Sequence, residues 1–174
     1  TMSELANKFP GYYASNIDYN SASKEAKIGH FNTQFEKGLH GISFSAYNEF
    51  QNPGDRISEE QVIKRLKVLK GHTQWIRTFS CTNGHELIPQ LAKEMGFKTL
   101  VGAWISNDLQ NNKKELSSLK SLLSDGVVDM ASVGNEVLFR NDVSVAELYD
   151  YIAQIKDVAG NIPIGFVDVY YEVS

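Results

Sequence analysis

The feature that most constrains this chain is a repeat of form: a short apolar run, a polar loop and a helical stretch recur roughly every 30 residues from Leu39 onward, the length of a strand-crossover unit. In the first unit, Leu39 to Tyr47 reads as a strand and Asn52-Pro53-Gly54-Asp55 as a turn. Ser58 caps the following helix with Gln61 three residues on, and Val62, Leu66 and Leu69 recur at helical spacing until Gly71. The second unit has Trp75 to Cys81 as strand, Thr82-Asn83-Gly84 as loop, and a helix carrying Leu87, Leu91 and Met95 that stops at Gly96. The third runs from the strand Phe97 to Ile105 through a loop, Ser106 to Asn112, into a helix lined by Leu116, Leu119, Leu122 and Leu123. The fourth pairs Val127 to Leu138 with a helix capped by Ser144 and Glu147, and Ile162 to Val173 reads as a fifth strand.

Strands alternating with helices predict an α/β fold in which parallel strands are joined by right-handed crossovers. The apolar runs are nearly continuous, as parallel strands buried on both faces require. Two architectures meet that description: an open doubly wound sheet, or consecutive strands of an eight-stranded barrel. With 174 residues, 42% of them hydrophobic, the chain suffices for one sizeable core. Residues 1–38 are polar with scattered aromatics and no clear period, and read as an N-terminal arm or leader; 39–174 read as the domain.

Several classes of function are disfavoured. A net charge of −4 with acids and bases interspersed leaves no basic footprint for nucleic acid. No apolar run approaches the roughly 20 residues of a membrane span, and the N-terminal residues lack the order of a signal peptide. The single cysteine, Cys81, has no partner for an intramolecular disulfide, which leaves the redox compartment open. Gly-x-Gly-x-x-Gly, the phosphate-binding loop and Gly-x-Ser-x-Gly are all absent, so a nucleotide cofactor or a serine nucleophile has no support. His30, His40, His72 and His85 are scattered, and neither a catalytic metal nor any other cofactor is expected.

The strand ends share a different chemistry: Tyr47, Arg77, Trp104, the pair Asn135-Glu136, Asp168 and Tyr170. In parallel α/β folds the C-terminal ends of strands meet at one face, so these residues are expected to converge on one cleft. Rings that stack on sugar faces, beside carboxylates and amides that bind hydroxyls, make carbohydrate the natural ligand class. Glu136, at the end of an apolar strand, is the candidate for chemistry; a carboxylate there has little other reason to be placed.

The run Val133-Gly134-Asn135-Glu136-Val137-Leu138-Phe139-Arg140 resembles the fourth-strand signature of glycoside hydrolase family 17, the β-1,3-glucanases and related glucanosyltransferases. Gly41 to Tyr47, Trp75 to Cys81, Gly102 to Ile105 and Val167 to Tyr170 resemble bacterial members in the same order and spacing. The resemblance covers about residues 39 to 173.

It implies a (β/α)8 barrel, an exported or cell-surface setting, and β-1,3-glucan of the laminarin type as substrate. It also implies a retaining double displacement, with Glu136 as general acid and then base, Asn135 on the sugar 2-hydroxyl, and Arg77 near the nucleophile. Tyr47, Trp104, Asp168 and Tyr170 are expected to bind substrate. Retention needs a second carboxylate about 5 to 5.5 Å away, which the family supplies from a Glu on strand seven. No matching stretch occurs before Ser174, so strands six to eight and the nucleophile are expected outside this chain, in a missing C-terminal half or a second chain. On that reading these 174 residues alone are expected to be inactive. Transfer to another glucan, or an incomplete half-barrel that only binds carbohydrate, are the alternatives.

Overall fold

The computed structural model describes residues 17–170. They fall into two compact units, one ending at Gly38 and one beginning at Leu39. The first holds helix α1 (Lys24–Glu36), capped by Ser23, whose hydroxyl accepts the Ala26 N–H. A helix was not expected there. Ile28, Phe31 and Phe35 do recur at helical spacing, but the polar residues between them hide the period, and no residue of α1 is buried within the structure.

The second unit is a five-stranded sheet, entirely parallel, in the order β1-β2-β3-β4-β5. Its strands are β1 (Leu39–Ser43), β2 (Thr73–Arg77), β3 (Lys98–Ala103), β4 (Met130–Asn135) and β5 (Ile164–Val167). The crossovers are helices α2 (Glu59–Leu69), α3 (Ile88–Glu94, entered through a 3-10 turn at His85–Leu87), α4 (Leu109–Ser124) and α5 (Val145–Ala159). A doubly wound sheet reverses its strand order at a switch point; here each strand pairs with the next in sequence. Right-handed crossovers taken always in one direction put every helix on the same face, the arrangement of an incomplete (β/α)8 barrel.

Packing follows from strand alternation. Ile76, Val101, Ala103, Ala131 and Val133 point to the helix side and are buried. There they form two clusters, one with Val62, Leu66 and Ile88, the other with Leu119, Leu148, Ile152 and Ile155. Each valine, leucine or isoleucine among them contributes about 1.5–3 kcal/mol of burial. The capping boxes expected at Ser58/Gln61 and Ser144/Glu147 are both formed.

Strand β1 departs from the expectation of burial on both faces: all five of its residues are exposed, with Leu39 40% and Ile42 36% accessible. It is an edge strand, covered on one side only by β2. Every strand is also shorter than its apolar run. Phe44, Ala46, Cys81, Ile105 and Val137 remain buried, but after the ladder has ended, as anchors beneath the loops that build the site.

Candidate active site

The C-terminal strand ends carry two adjoining groups of side chains. The first surrounds Glu136. Near the end of strand β4 Gly134 lies at φ +90°, and Glu136, the residue just past the strand, lies at φ +54°, a left-handed conformation rare for a residue with a side chain. Several bonds hold it there: Glu136 N–H donates to Val167 O at 2.7 Å, and Arg140 N–H donates to Glu136 O at 2.9 Å. Asp168 completes the turn, its Oδ2 accepting the Leu138 N–H and its Oδ1 the Val169 N–H, both at 2.9 Å. With Val137 driven into the core, the backbone aims Glu136 outward, where it is exposed at the strand end.

Arg77, the last residue of β2, reaches across the sheet and donates from Nη2 to Asn135 Oδ1 at 2.5 Å. Its guanidinium lies 4.7 Å from the centre of the Phe79 ring. Burial holds the guanidinium below its ordinary range, and the charge of Glu136 opposes that effect. Its Nε is buried without a hydrogen-bond partner among the described residues. A buried charged donor left unpaired is costly, so this atom is suited to an acceptor that the described residues do not provide.

A second cation, Arg140, ties the third and fourth strand ends together. It donates to the carbonyls of Asn135 and Ile105, pairs with Asp142 at 2.7 Å, and stacks 4.5 Å from the centre of the Trp104 ring. One face of Trp104 is thereby occupied by the guanidinium.

The second group forms a cavity of about 470 Å³ over the ends of β1, β2 and β3. Tyr47, Phe79, His85 and Trp104 supply rings, and Ser45, Ser106 and Asn111 are among the polar residues of its wall. Tyr47 is fixed by the Gly54 N–H, which donates to its hydroxyl at 2.9 Å. Beneath the cavity lies Glu115 of α4, only 1% exposed. Its Oε1 accepts Ser80 Oγ at 2.6 Å and Thr82 Oγ1 at 2.7 Å, and its Oε2 accepts Cys81 N at 2.7 Å and Trp104 N at 3.1 Å. Four donors from two loops thus converge on one carboxylate.

The site residues read from the sequence therefore sit as follows. Asn135, Glu136 and Arg77 are grouped at the ends of β2 and β4, whereas Tyr47 and Trp104 line the cavity, Trp104 just past the end of β3. Asp168 has both oxygens engaged by backbone, so within this structure it shapes the Glu136 turn. Tyr170 is 81% exposed and is not among the residues that line the cavity. Glu115, Arg140 and His85 were missed as site residues. Glu115 had a signal, since with Asn112 and Leu119 it lies on the buried stripe of α4, where a charge has to be satisfied. No group of three or more His, Cys, Asp or Glu side chains among the described residues is placed to hold a metal.

A parallel β/α sheet wound in one direction, with an outward carboxylate and an aromatic cavity at its C-terminal strand ends, has the build of a glycoside hydrolase barrel domain. Comparison with known proteins agrees, for residues 41–173 match the BtgE/BtgC glycoside hydrolase domain, and the chain belongs to that family. It is 30% identical over 109 residues to a glucan 1,3-beta-glucosidase of Arthroderma benhamiae, a match covering 60% of this chain and 35% of that protein. With the glucan 1,3-beta-glucosidase BGL2 of Candida albicans it shares 27% identity over 118 residues, 59% of this chain and 38% of the relative. The matches thus span little more than a third of these curated relatives. Among solved structures it is similar to an active-site mutant of the Rhizomucor miehei beta-1,3-glucanosyltransferase in complex with laminaritriose. That likeness has a TM-score of 0.66 and 28% identity, over 79% of this chain and 52% of the other. The family 17 resemblance read from the motifs accords with these relatives.

Proposed function

We propose that this chain carries the acid/base half of a retaining β-1,3-glucan-active site. In this reading Glu136 protonates the leaving glucosidic oxygen and then, as carboxylate, activates the water or sugar hydroxyl that resolves the glycosyl-enzyme. Asn135, anchored by Arg77, presents its amide to the hydroxyl next to the anomeric carbon. The attacking carboxylate comes from outside the described residues, and Arg77 Nε is the donor that receives it.

The observation that carries this reading is the Arg77 guanidinium: it is bonded to Asn135, acted on by the charge of Glu136, and left with a buried donor that has no acceptor among the described residues. Asp168 is poorly suited to attack, because both its oxygens are held by backbone N–H groups. The substrate follows from relatives named as β-1,3-glucan enzymes and from the laminaritriose in the similar structure. An exported setting belongs to the same reading. No helix among the described residues is long and apolar enough to cross a membrane.

The test compares reducing-end release from laminarin by residues 1–174 alone, by the protein encoded by the full reading frame, and by that protein carrying Glu136→Gln. The expected result is activity only in the unmodified full-length protein, with the variant lower by at least about a hundredfold. Equal turnover by the variant removes Glu136 from its role, and hydrolysis by residues 1–174 alone removes the external nucleophile. Product analysis separates hydrolysis from transfer, since elongated laminari-oligosaccharides arise only by transfer.

A further inference from the structure

The wall of the cavity over β1 to β3 carries a histidine with one ring nitrogen engaged by the protein and one left over. His85 is 8% exposed and lines the cavity, and its Nδ1 lies 2.9 Å from Thr82 O. A carbonyl only accepts, so this bond assigns the proton to Nδ1 and leaves Nε2 of the neutral ring with a lone pair. Nε2 has no hydrogen-bond partner among the described residues, yet it is not among their sealed, unpartnered atoms, so it stays accessible on a residue that lines the cavity. The ring is held edge-on against Tyr47, centroids 5.2 Å apart, and Tyr47 is itself locked to Gly54. The acceptor is therefore in place before any ligand arrives.

We infer that His85 is a specificity-determining residue of this cavity, its Nε2 accepting a hydroxyl hydrogen from an uncharged glucan segment seated between the Tyr47 and Trp104 rings. The inference rests on the β-glucan reading and extends it to a contact away from the acid/base. The ligand class follows from the wall, which contains no lysine or arginine to neutralise an anion. Its two acids are committed elsewhere: Glu115 to its four donors, and Asp108 Oδ1 to the N–H groups of Gln110 and Asn111 at the start of α4. Aromatic faces, hydroxyls and a neutral acceptor without a cation suit a neutral sugar and reject uronic or sulfated ones.

The test is calorimetric titration of the chain with laminaritriose, and with an oligogalacturonate of equal length. The inference expects laminaritriose to bind the wild type, His85→Leu to weaken it roughly fivefold to tenfold through one lost hydrogen bond, and the oligogalacturonate not to bind. His85→Gln, which keeps an acceptor, is expected to recover most of the affinity. In wild-type protein, the Nε2 resonance of His85 in nitrogen-15 spectra is expected to move on saturation with laminaritriose, a readout independent of any variant's folding. An unmoved Nε2 signal, or unchanged affinity in His85→Leu, overturns the inference and leaves the β-glucan reading standing. Equal binding of the oligogalacturonate overturns the neutral ligand class. Failure of the wild type to bind laminaritriose overturns this inference, whereas the β-glucan reading falls only if the full-length protein releases no reducing ends from laminarin.

Discussion

Arg77 at the end of β2 donates a 2.5 Å hydrogen bond to the side chain of Asn135 at the end of β4, bridging 58 residues of sequence and the intervening strand β3. A planar guanidinium with a fixed fork can hold the amide and still present Nε to another acceptor; an ammonium group cannot do both from one place. Arg77→Lys is therefore expected to fold, with a thermal midpoint within a few degrees of wild type. In the full-length protein its laminarin turnover is expected to fall by about a hundredfold, the scale set by losing one well-placed donor. Turnover within threefold of wild type rejects the positioning role.

Glu115 makes a contrasting prediction, because its carboxylate serves the loops. Glu115→Ala strands donors from Ser80, Cys81, Thr82 and Trp104, at least the two backbone N–H groups among them with no rotational escape. A buried orphan costs about 1–3 kcal/mol, so a loss of about 3 kcal/mol or more is expected in urea denaturation. Glu115→Gln is expected to recover at least half of that: the amide oxygen accepts from Cys81 and Trp104, while its NH2 donates to hydroxyls that rotate to accept. Equal losses in both variants reject this account.

Trp104 and Arg140 make a third prediction, read by fluorescence. The guanidinium sits 4.5 Å from the ring centre and holds the carbonyls of Ile105 and Asn135, so it fixes the ring from one side. Arg140→Met removes the charge while keeping a flexible side chain in the space. It is expected to shift tryptophan emission and to weaken laminaritriose binding by roughly threefold to tenfold, the worth of a partly buried cation-π contact. Unchanged emission and affinity show that the contact leaves Trp104 unaffected.

How much of this was legible in the sequence follows from the physics of each element. The parallel order was, because Ile76, Val101, Ala131 and Val133 lie in apolar runs punctuated by Gly71, Gly96 and Gly126, and such runs have few other solutions. The strand ends were not. Phe44, Cys81, Ile105 and Val137 are as apolar as the residues before them, and only the divergence of the ladder shows that they anchor loops. Asn135 and Glu136 were visible as a polar pair closing an apolar strand. Asp168 looked equally suited to substrate, but its occupation by Leu138 and Val169 depends on a turn that sequence does not spell out. His85 and Arg140 gave no signal, since a scattered histidine and a loop arginine acquire meaning only from what surrounds them.

Gly84 makes a prediction about the loop that carries His85. It adopts φ +93°, and a Cβ there would lie 2.1 Å from the backbone oxygen of Ile57. Gly84→Ala thus meets both a disfavoured backbone region, at about 1–2 kcal/mol, and a collision with main chain, which cannot rotate away. A thermal midpoint lower by about 4 to 8 °C is expected, from about 2 kcal/mol in a domain of this size. A midpoint within 2 °C shows that the loop relaxes more readily than its packing implies.

The last prediction concerns pH and Cys81. Its thiol is fully buried, lies 3.2 Å from Gly102 O as a donor, and has its pKa pushed well above the ordinary value, first by burial and then by the carboxylates of Glu115 and Glu86. An acid whose folded pKa is raised binds its proton more tightly in the folded state. Its contribution is therefore complete below the unfolded pKa, near pH 8.5, and is lost as pH rises from there toward the folded value. Cys81→Ala removes this titration while adding a packing cost that does not vary with pH. The difference in unfolding free energy between wild type and Cys81→Ala is expected to hold constant from pH 6 to about 8 and to shrink at pH 9 and above. Urea midpoints across that range measure it, and a difference that stays level to pH 10 shows that the buried thiol ionises as readily folded as unfolded.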